Sequence, residues 1–346
     1  MTEPGSRTSD YDFVLSPERI AQRPLERRDA SRLLVVERAT GRLSHRTFAD
    51  LADLMSPGDA LVLNTTRVFR ARLLGHRDSG APAEVLLLRA LGDARYEAMV
   101  SPGGKLRPGR TVHIAHGFDI DILEITERRT RLVRLRTQEP VEQAIERHGH
   151  VPLPPYIERA DLPADAERYQ TVYARESGSV AAPTAGLHFT PELLAAIAAR
   201  GVHRADVVLH VGAGTFKPVE VEDPGQHAMH EESYWLPAQS AAVLNATRRS
   251  GGSIWAVGTT STRTLESAVR EGGTFAASAG ETRLFIRPPY SFRAVDKLIT
   301  NFHLPRSTLV MLVAALAGYD LTMRAYREAI DAGYRFYSYG DAMAVI

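Results

Sequence analysis

The chain has 346 residues, of which 44% are hydrophobic and 24% charged, and this balance favours a globular protein with a sizeable core over a disordered one. It contains no cysteine, which excludes a disulfide framework and a zinc site with thiolate ligands. A formal net charge of +1 does not by itself require a nucleic-acid partner.

The beginning of the chain and its longest apolar run bear on location. Residues 1–10 are polar and lack the apolar core of a secretory signal. Residues 309–317 are too few to cross a membrane, which takes about 20 residues. We therefore expect a cytoplasmic protein with no membrane partner.

Residues 11–66 combine helix and strand signals. Ser16 and Pro17 predict a helix start, because a hydroxyl cap followed by proline is typical of a helix N-terminus. Short apolar runs predict strands at 33–36 and 60–63, and Thr47 is expected to cap a helix over 48–55.

From residue 67 to about 138 short strand-like runs alternate with turn clusters. They cover 70–74, 83–88, 96–100, 111–114, 119–125 and 131–135. Many short strands with regular turns indicate a small barrel or sandwich. Arg131, Arg134 and Arg136 lie on the last of them, which favours a solvated face and leaves open a stripe that contacts RNA.

Alternating helices and strands return after residue 150. The pattern predicts helices at 193–200, 237–250, 263–270, 307–317 and 323–332, and strands at 207–211, 254–257 and 284–287. This alternation predicts an α/β fold. The expected organisation is an α/β catalytic domain, residues 1–66 plus 150–346, interrupted by an inserted small β-barrel domain, residues 67–149.

Two loops rich in small residues are candidate ligand sites, since small residues let a ligand approach the backbone. The loop 178–190 holds Thr184, Gly186 and His188. His188 is either an acid or base beside a helix start or a capping residue of a tight connector.

The second loop follows the predicted strand 207–211 and holds Gly212, Gly214 and Thr215. It resembles a dinucleotide fingerprint only superficially, because Lys217 replaces the third glycine and Pro218 does not open a helix. We therefore reject a nicotinamide or flavin site and retain one for adenine or ribose. His210 points either into this loop or into the core.

Histidine and carboxylate side chains come together at 227–232. His227 and His230 have a spacing that a metal site could use, but no third ligand is obvious, so no metal is expected. An acid/base or ribose-binding role for His230 with Glu231 fits better.

Two further segments are polar beside core elements. Thr259, Thr260, Ser261 and Arg263 follow a strand and precede a predicted helix, which makes them an anion site for a carboxylate or phosphate. Ordinary capping would explain only one or two of them. Asn301 and His303, just before the apolar run, are either internally satisfied or part of a site.

The order of these segments resembles one family, the S-adenosylmethionine:tRNA ribosyltransferase-isomerases of the queuosine pathway. The resemblance runs from Tyr11 to Met343. Its most specific stretches are 149–157, 168–174, 180–190, 210–216, 258–266, 300–305 and 334–343. It implies the same α/β domain with an inserted β-barrel.

The resemblance also implies a reaction. S-adenosylmethionine is a co-substrate that donates its ribosyl group, and no separate cofactor is expected. The acceptor is tRNA carrying 7-aminomethyl-7-deazaguanine at the wobble position, and the products are epoxyqueuosine-tRNA, adenine and methionine. The sulfonium acidifies the ribose 5′ protons, so a base is needed to remove one and an acid to assist adenine.

By chemical type, His188 or His303 is the expected base and His210 or His230 the expected acid. Thr259, Thr260 and Arg263 are expected to hold the methionine carboxylate. The other expected substrate contacts are Thr184, Gly186, Gly212, Gly214, Thr215, Glu231, Ser261 and Asn301.

The chain departs from the family pattern at Thr65, where an aspartate is usual, and at Arg70, where a proline is usual. If the aspartate is catalytic or contacts the base, this chain is a paralogue with another acceptor; if it only caps a turn, threonine can replace it. A non-catalytic tRNA-binding module is the other alternative. We expect a monomer or weak homo-oligomer.

Overall fold

The computed structural model describes residues 4–212 and 219–346. The strands are β1 (Arg32–Val36), β2 (Leu43–Thr47), β3 (Ala60–Asn64), β4 (Thr66–Val68), β5 (Arg72–Arg77), β6 (Pro82–Gly92), β7 (Arg95–Ser101), β8 (Thr111–Ala115), β9 (Phe118–Ile125), β10 (Arg131–Thr137), β11 (Glu176–Ser179), β12 (His203–Leu209), β13 (Glu232–Leu236), β14 (Ile254–Val257), β15 (Ser278–Thr282), β16 (Lys297–Asn301) and β17 (Ala342–Val345). The α-helices are α1 (Val141–His148), α2 (Asp165–Arg168), α3 (Pro191–Ala199), α4 (Ala238–Arg249), α5 (Gly258–Ala268), α6 (Thr308–Ala317) and α7 (Tyr319–Asp331).

A nine-stranded mixed sheet forms the centre of the molecule, in the order β15-β13-β12-β3-β14-β16-β17-β1-β2. Its four central strands, β12, β3, β14 and β16, run parallel. Residues of β3 and β14 are all buried, as expected for parallel strands covered on both faces.

Side chains of successive residues go to opposite faces of this sheet and build two cores. Val62 and Ala256 pack with α4, α5, α6 and α7 on one face. Leu63 and Trp255 pack with α3 and with the 3₁₀ helix Phe48–Leu54 on the other. The sheet is therefore the middle layer of an α/β sandwich.

A closed barrel is formed by β5 to β10, in the order β10-β7-β6-β5-β8-β9. Its apolar interior includes Leu73, Val85 and Val133, and α1 adds Ala144 and Ile145. The α/β fold with a small β-barrel is confirmed. Every barrel strand falls inside 67–149, while the domain boundaries themselves stay a prediction.

Most predicted elements are confirmed near their expected bounds, including all six barrel strands. Two α-helices begin at hydroxyl caps: Thr190 accepts a hydrogen bond from the backbone N–H of Leu193 (3.1 Å), and Ser307 accepts one from Val310 (3.4 Å). Local capping chemistry therefore determines where α3 and α6 begin.

Several expectations were wrong. The helix predicted from Ser16 is only a 3₁₀ turn, Pro17–Arg19, and the strand predicted at 284–287 is irregular chain. Proline at 288 and 289 lacks the N–H that would continue a ladder. The strands β2, β4, β11, β13, β15, β16 and β17 were not predicted.

Within the described ranges no single helix is long and apolar enough to cross a membrane; α6 and α7 meet the length and composition criteria only together, with a bend of 117° between them.

Candidate active site

The carboxyl ends of the parallel strands β12, β3, β14 and β16 meet at one edge of the sheet, where ligands of open α/β sheets usually bind. Asn64 ends β3 and ties this edge together. Its Oδ1 accepts from the N–H of Leu209 (3.1 Å) and Thr66 (3.2 Å), and its Nδ2 donates to the Leu209 carbonyl (3.0 Å) and to Thr260 Oγ1 (3.2 Å). This positioning residue was not singled out from the sequence.

Two pockets that share lining residues open at this edge, and we refer to them as the first and second lobes of the cavity. The first lobe has a volume of about 600 Å³ and is lined by Tyr156, Thr184, Asn301, His303 and Tyr337, among others. The second lobe has a volume of about 640 Å³ and is lined by His227, His230, Arg263, Phe285 and Leu312, among others. Thr259, Thr260 and Leu309 line both lobes and are therefore their junction.

The first turn of α5 forms the wall at the junction. Gly258 has φ +85°, a conformation that side chains rarely adopt, and it turns the chain sharply from β14 into α5. We expected Thr259 and Thr260 to precede the helix, but both lie in its first turn. The N-terminal amides and partial positive charge of an 11-residue helix favour an anion at this place.

Arg263 does not offer a free guanidinium, which corrects the expectation that it anchors a carboxylate. It forms a buried ion pair with Glu232, and its Nε donates to the Leu284 carbonyl (3.1 Å). Glu232 also accepts from the N–H of Gly212 (3.2 Å). The sequence analysis named the more exposed neighbour Glu231 and not Glu232. Glu232 is the first residue of β13, and the alternation of buried and exposed residues along this strand could have identified it as buried.

Glu231 faces away from the junction, because it pairs with Arg283 (3.2 Å) and with Arg128 (3.6 Å), a residue of the turn between β9 and β10. Ser261 is fully buried and lines neither lobe. Neither side chain is placed to touch a ligand in the cavity.

His303 lies in the wall of the first lobe. Its Nε2 is 2.7 Å from Thr300 Oγ1, and no described residue bonds its Nδ1. Burial lowers the pKa of His303 to about 3, so the ring is neutral at physiological pH. Asn301 lies beside it, with an Oδ1 that has no partner among the described residues.

His188 lies behind that wall and lines neither lobe. Its Nδ1 is 2.7 Å from Ser31 Oγ, its Nε2 is 3.0 Å from Asn301 Nδ2, and its ring stacks on Phe48 at 4.9 Å. Burial, and then the charges of Arg335 and Arg28, lower its pKa to about 3. The ring is thus a neutral bridge that orients Asn301.

Gly186 is explained by packing. A Cβ at this position would overlap the Tyr173 hydroxyl, so the glycine makes room for a core side chain and not for a ligand. Thr184, two residues earlier, does line the first lobe.

His210 follows β12 and contacts the neighbouring strands. Its Nδ1 is 2.7 Å from Thr66 Oγ1, and Gly178 lies against its ring, where a Cβ would come within 2.9 Å. Burial lowers the pKa of His210. It lines neither lobe, although the next residue, Val211, lines the first.

His230 is exposed and lines the second lobe together with apolar side chains. Its neighbour His227 packs edge-on against Phe285, at a ring distance of 5.7 Å. Within residues 4–212 and 219–346 no group of three or more His, Asp or Glu side chains could hold a metal ion. Gly214 and Thr215 lie outside the described residues.

The two departures from the expected pattern lie away from the cavity. Thr65 is fully buried and donates its hydroxyl to the Val207 carbonyl (3.2 Å). Arg70 contacts Glu146 of α1, with Nε 3.3 Å from its carboxylate. Both residues hold backbone segments together and do not line either lobe.

Comparison with known proteins gives a consistent result. A family described as "Queuosine biosynthesis protein" matches residues 8–345. The S-adenosylmethionine:tRNA ribosyltransferase-isomerase of Symbiobacterium thermophilum is 54% identical over 98% of this chain and 100% of its own length. The protein of that name from Thermotoga maritima is 49% identical, with the same coverage. The crystal structure of S-adenosylmethionine tRNA ribosyltransferase from Thermotoga maritima aligns with a TM-score of 0.57 at 39% identity, over 97% of this chain and 99% of that one.

Proposed function

Since the chain belongs to the queuosine biosynthesis protein family, we propose that this enzyme transfers and isomerises the ribosyl group of S-adenosylmethionine onto tRNA. The proposed acceptor is 7-aminomethyl-7-deazaguanine at the wobble position. The proposed products are epoxyqueuosine-tRNA, adenine and methionine. No cofactor besides the donor is needed, because the sulfonium itself supplies the leaving group.

The observation that carries this proposal is the two-lobed cavity with Thr259 and Thr260 at its junction. The donor joins three chemically different parts and needs a site that spans them. Adenine fits the apolar second lobe, where Phe285 and Leu312 provide contact surface. The methionine carboxylate fits the amino end of α5, which favours anions even without Arg263.

The first lobe then receives the acceptor base and the reacting ribose. Tyr156 and Tyr337, 4.6 Å apart between ring centroids, give it aromatic surface on which a flat base can stack. The unpartnered Oδ1 of Asn301 is a hydrogen-bond acceptor for that base or its amine.

Of the four candidate histidines, His303 and His230 are the two that line the cavity. We assign His303 as the base that removes a ribose 5′ proton, in the tautomer whose Nε2–H donates to Thr300 and whose Nδ1 is free. His230 is assigned as the acid that protonates departing adenine in the second lobe. Attack by the aminomethyl nitrogen and closure of the epoxide then displace methionine.

The direct test is mass spectrometry of adenine released from S-adenosylmethionine by the purified enzyme. We expect release with tRNA that carries the aminomethyl-deazaguanine and none with the same tRNA lacking it. Release with a different acceptor would instead identify a paralogue, the alternative that Thr65 and Arg70 raised. Retention of tRNA without any adenine release would contradict the catalytic proposal.

A further inference from the structure

A further cavity of about 280 Å³ adjoins the first lobe, and its lining includes three arginines. Arg28, Arg168 and Arg335 surround it together with Ser31, His188 and Ser338. All three arginines are half-buried. We call this the basic cavity.

Within the part of the chain that the structure describes, none of these three guanidinium groups has a carboxylate within 4.0 Å. Arg28 donates to the carbonyls of Leu187 and Glu167, both at 3.0 Å. Arg168 donates to the carbonyls of Leu25 (2.6 Å) and Glu26 (2.8 Å), and its Nε is buried without a partner.

Arg335 is held least. Among the described residues its guanidinium makes a single hydrogen bond, 3.4 Å to the Arg23 carbonyl. Arg159, in a nearby segment, shows the usual alternative: it pairs with Asp165 at 2.6 Å.

The three charges also act on one another and on their surroundings, although the carboxylate of Glu167, beyond 4.0 Å, partly offsets them at Arg28. Burial, and next the like charge of Arg168, lower the pKa of Arg28. Arg335 and Arg28 also help to lower the pKa of His188. Half-buried cations that repel one another and form no ion pair with a carboxylate are stabilised by an anion between them.

The basic cavity adjoins the first lobe of the catalytic cavity. Ser338 lines both cavities. His188 lines the basic cavity and bonds Asn301, which lines the first lobe, at 3.0 Å. A ligand that enters both cavities must carry an anionic group next to the group that reacts.

We propose that the basic cavity binds a backbone phosphate of the tRNA strand beside the nucleotide that enters the first lobe. This inference rests on the proposed function and adds to it a contact that positions the substrate. Arginine suits the role because its planar fork donates two hydrogen bonds to one phosphate. Phosphate contacts of this kind fix the register of a nucleic acid without reading its sequence.

The test is Arg335→Gln, since this substitution removes a charge while breaking only one long hydrogen bond. We expect tRNA to bind about tenfold more weakly, with a plot of log affinity against log salt that is shallower by about 1. The KM for S-adenosylmethionine and the kcat at saturating tRNA should stay within about twofold of wild type. Arg335→Lys, which keeps the charge and loses the fork, should recover part of the affinity.

Arg249→Gln is the matched control, because Arg249 is an exposed arginine at the end of α4 with no bonded partner among the described residues. It lies near the amino ends of β3 and β14, at the opposite edge of the sheet from the site. This variant should leave tRNA affinity and its salt dependence unchanged. Arg168→Gln, with its fold verified by thermal denaturation, repeats the test from the other side of the cavity.

The outcomes separate this inference from the proposed function. Unchanged tRNA affinity in both Arg335→Gln and Arg168→Gln, in an enzyme that still releases adenine, overturns the phosphate site alone. A raised KM for S-adenosylmethionine in these variants, with normal tRNA affinity, would assign the cavity to a small free anion and also overturn the phosphate site. The same conclusion would follow if millimolar inorganic phosphate stabilised the wild-type enzyme against thermal denaturation without any effect on tRNA binding. Absence of adenine release in wild type concerns the proposed function and not this site.

Discussion

At the scale of single residues, the type of side chain was easier to predict than its partner. Arg263 lines the second lobe, but its charge is already neutralised by Glu232. A contact across 31 positions depends on how β13 lies against α5, and no local pattern in the sequence contains it. The site therefore has one charge fewer for its ligand than the sequence suggested.

The first prediction concerns this ion pair. Arg263→Met and Glu232→Gln should each lower the free energy of unfolding by about 3–5 kcal/mol, because each leaves a buried charge without its partner. The double variant Arg263→Met/Glu232→Gln should lose clearly less than the sum. Urea denaturation of the four proteins measures the coupling. A normal stability of Arg263→Met with a raised KM for S-adenosylmethionine would instead restore the arginine as a ligand anchor.

The second prediction separates the two neutral histidines. His303→Ala should lower kcat by about 10²–10⁴-fold, the usual contribution of a positioned base. His188→Gln should change kcat much less, since Gln keeps an amide that can bond Ser31 or Asn301 and His188 does not line the lobes. Single-turnover adenine release, with folding checked by circular dichroism, gives both values. Equal losses in the two variants would contradict the assignment of the base.

At the scale of elements, strands in which apolar and polar residues alternate were predictable, whereas strands without this alternation were not. In β9 and β10 buried residues alternate with less buried ones, which is why the barrel strands were found. The edge strand β2 is Leu-Ser-His-Arg-Thr and buries none of its residues fully, so it carries no such pattern. The strand β16, Lys-Leu-Ile-Thr-Asn, has only two apolar residues in succession, and half of β17, Ala-Met-Ala-Val, is alanine with its low strand propensity, so neither sequence indicated a strand.

Some residues of the candidate site could be identified from local sequence and others could not. Thr259 was recognised because it directly follows a predicted strand, and His303 because it lies just before the apolar run 309–317. Asn64 and Ser338 were not, since their roles depend on bonds or walls shared with distant segments. Thr65 and Arg70 could be assigned to packing only after their contacts were known.

The third prediction tests the turn that starts α5. Gly258→Ala places a Cβ at φ +85° and should cost about 1–2 kcal/mol of stability. It should also raise the KM for S-adenosylmethionine, because the amides of the first helical turn would shift. Gly251→Ala is the control: its φ is +76°, it has open space around it, and it lies at the far edge of the sheet. If both variants lose the same stability and only Gly258→Ala raises the KM for S-adenosylmethionine, the result supports the anion site at α5.

At the scale of the whole molecule, positive charge is distributed differently from the sequence-based expectation. Arg131 is buried and donates to four backbone carbonyls, among them those of Leu106 (2.9 Å) and Gly103 (2.8 Å). Arg136 pairs with Asp121 at 2.7 Å. The arginines of β10 therefore form no continuous stripe for RNA, and the alternative of a barrel that merely binds tRNA loses its basis.

The buried histidines also make a prediction for the whole fold. His188 and His303 have pKa values of about 3 in the folded chain, against about 6.5 when unfolded. Below pH 6.5 these histidines are protonated in the unfolded chain but stay neutral in the folded chain. Their contribution to the free energy of unfolding is therefore complete above pH 6.5 and is lost as the pH falls toward 3. Each histidine should make the free energy of unfolding fall by up to about 1.4 kcal/mol per pH unit.

This loss is measurable between pH 7 and pH 5, above the range in which carboxylates with lowered pKa values, such as Asp165, become protonated. Urea denaturation at pH 7, 6 and 5 should show the free energy of unfolding of wild type falling with pH, and His210 and His227, whose pKa values burial also lowers, add to the slope. His188→Gln and His303→Gln should each be less stable at pH 7 but have a shallower slope, since glutamine does not titrate. The same slope in wild type and both variants would mean that these rings accept protons in the folded protein, and their assignment as neutral groups would then fail.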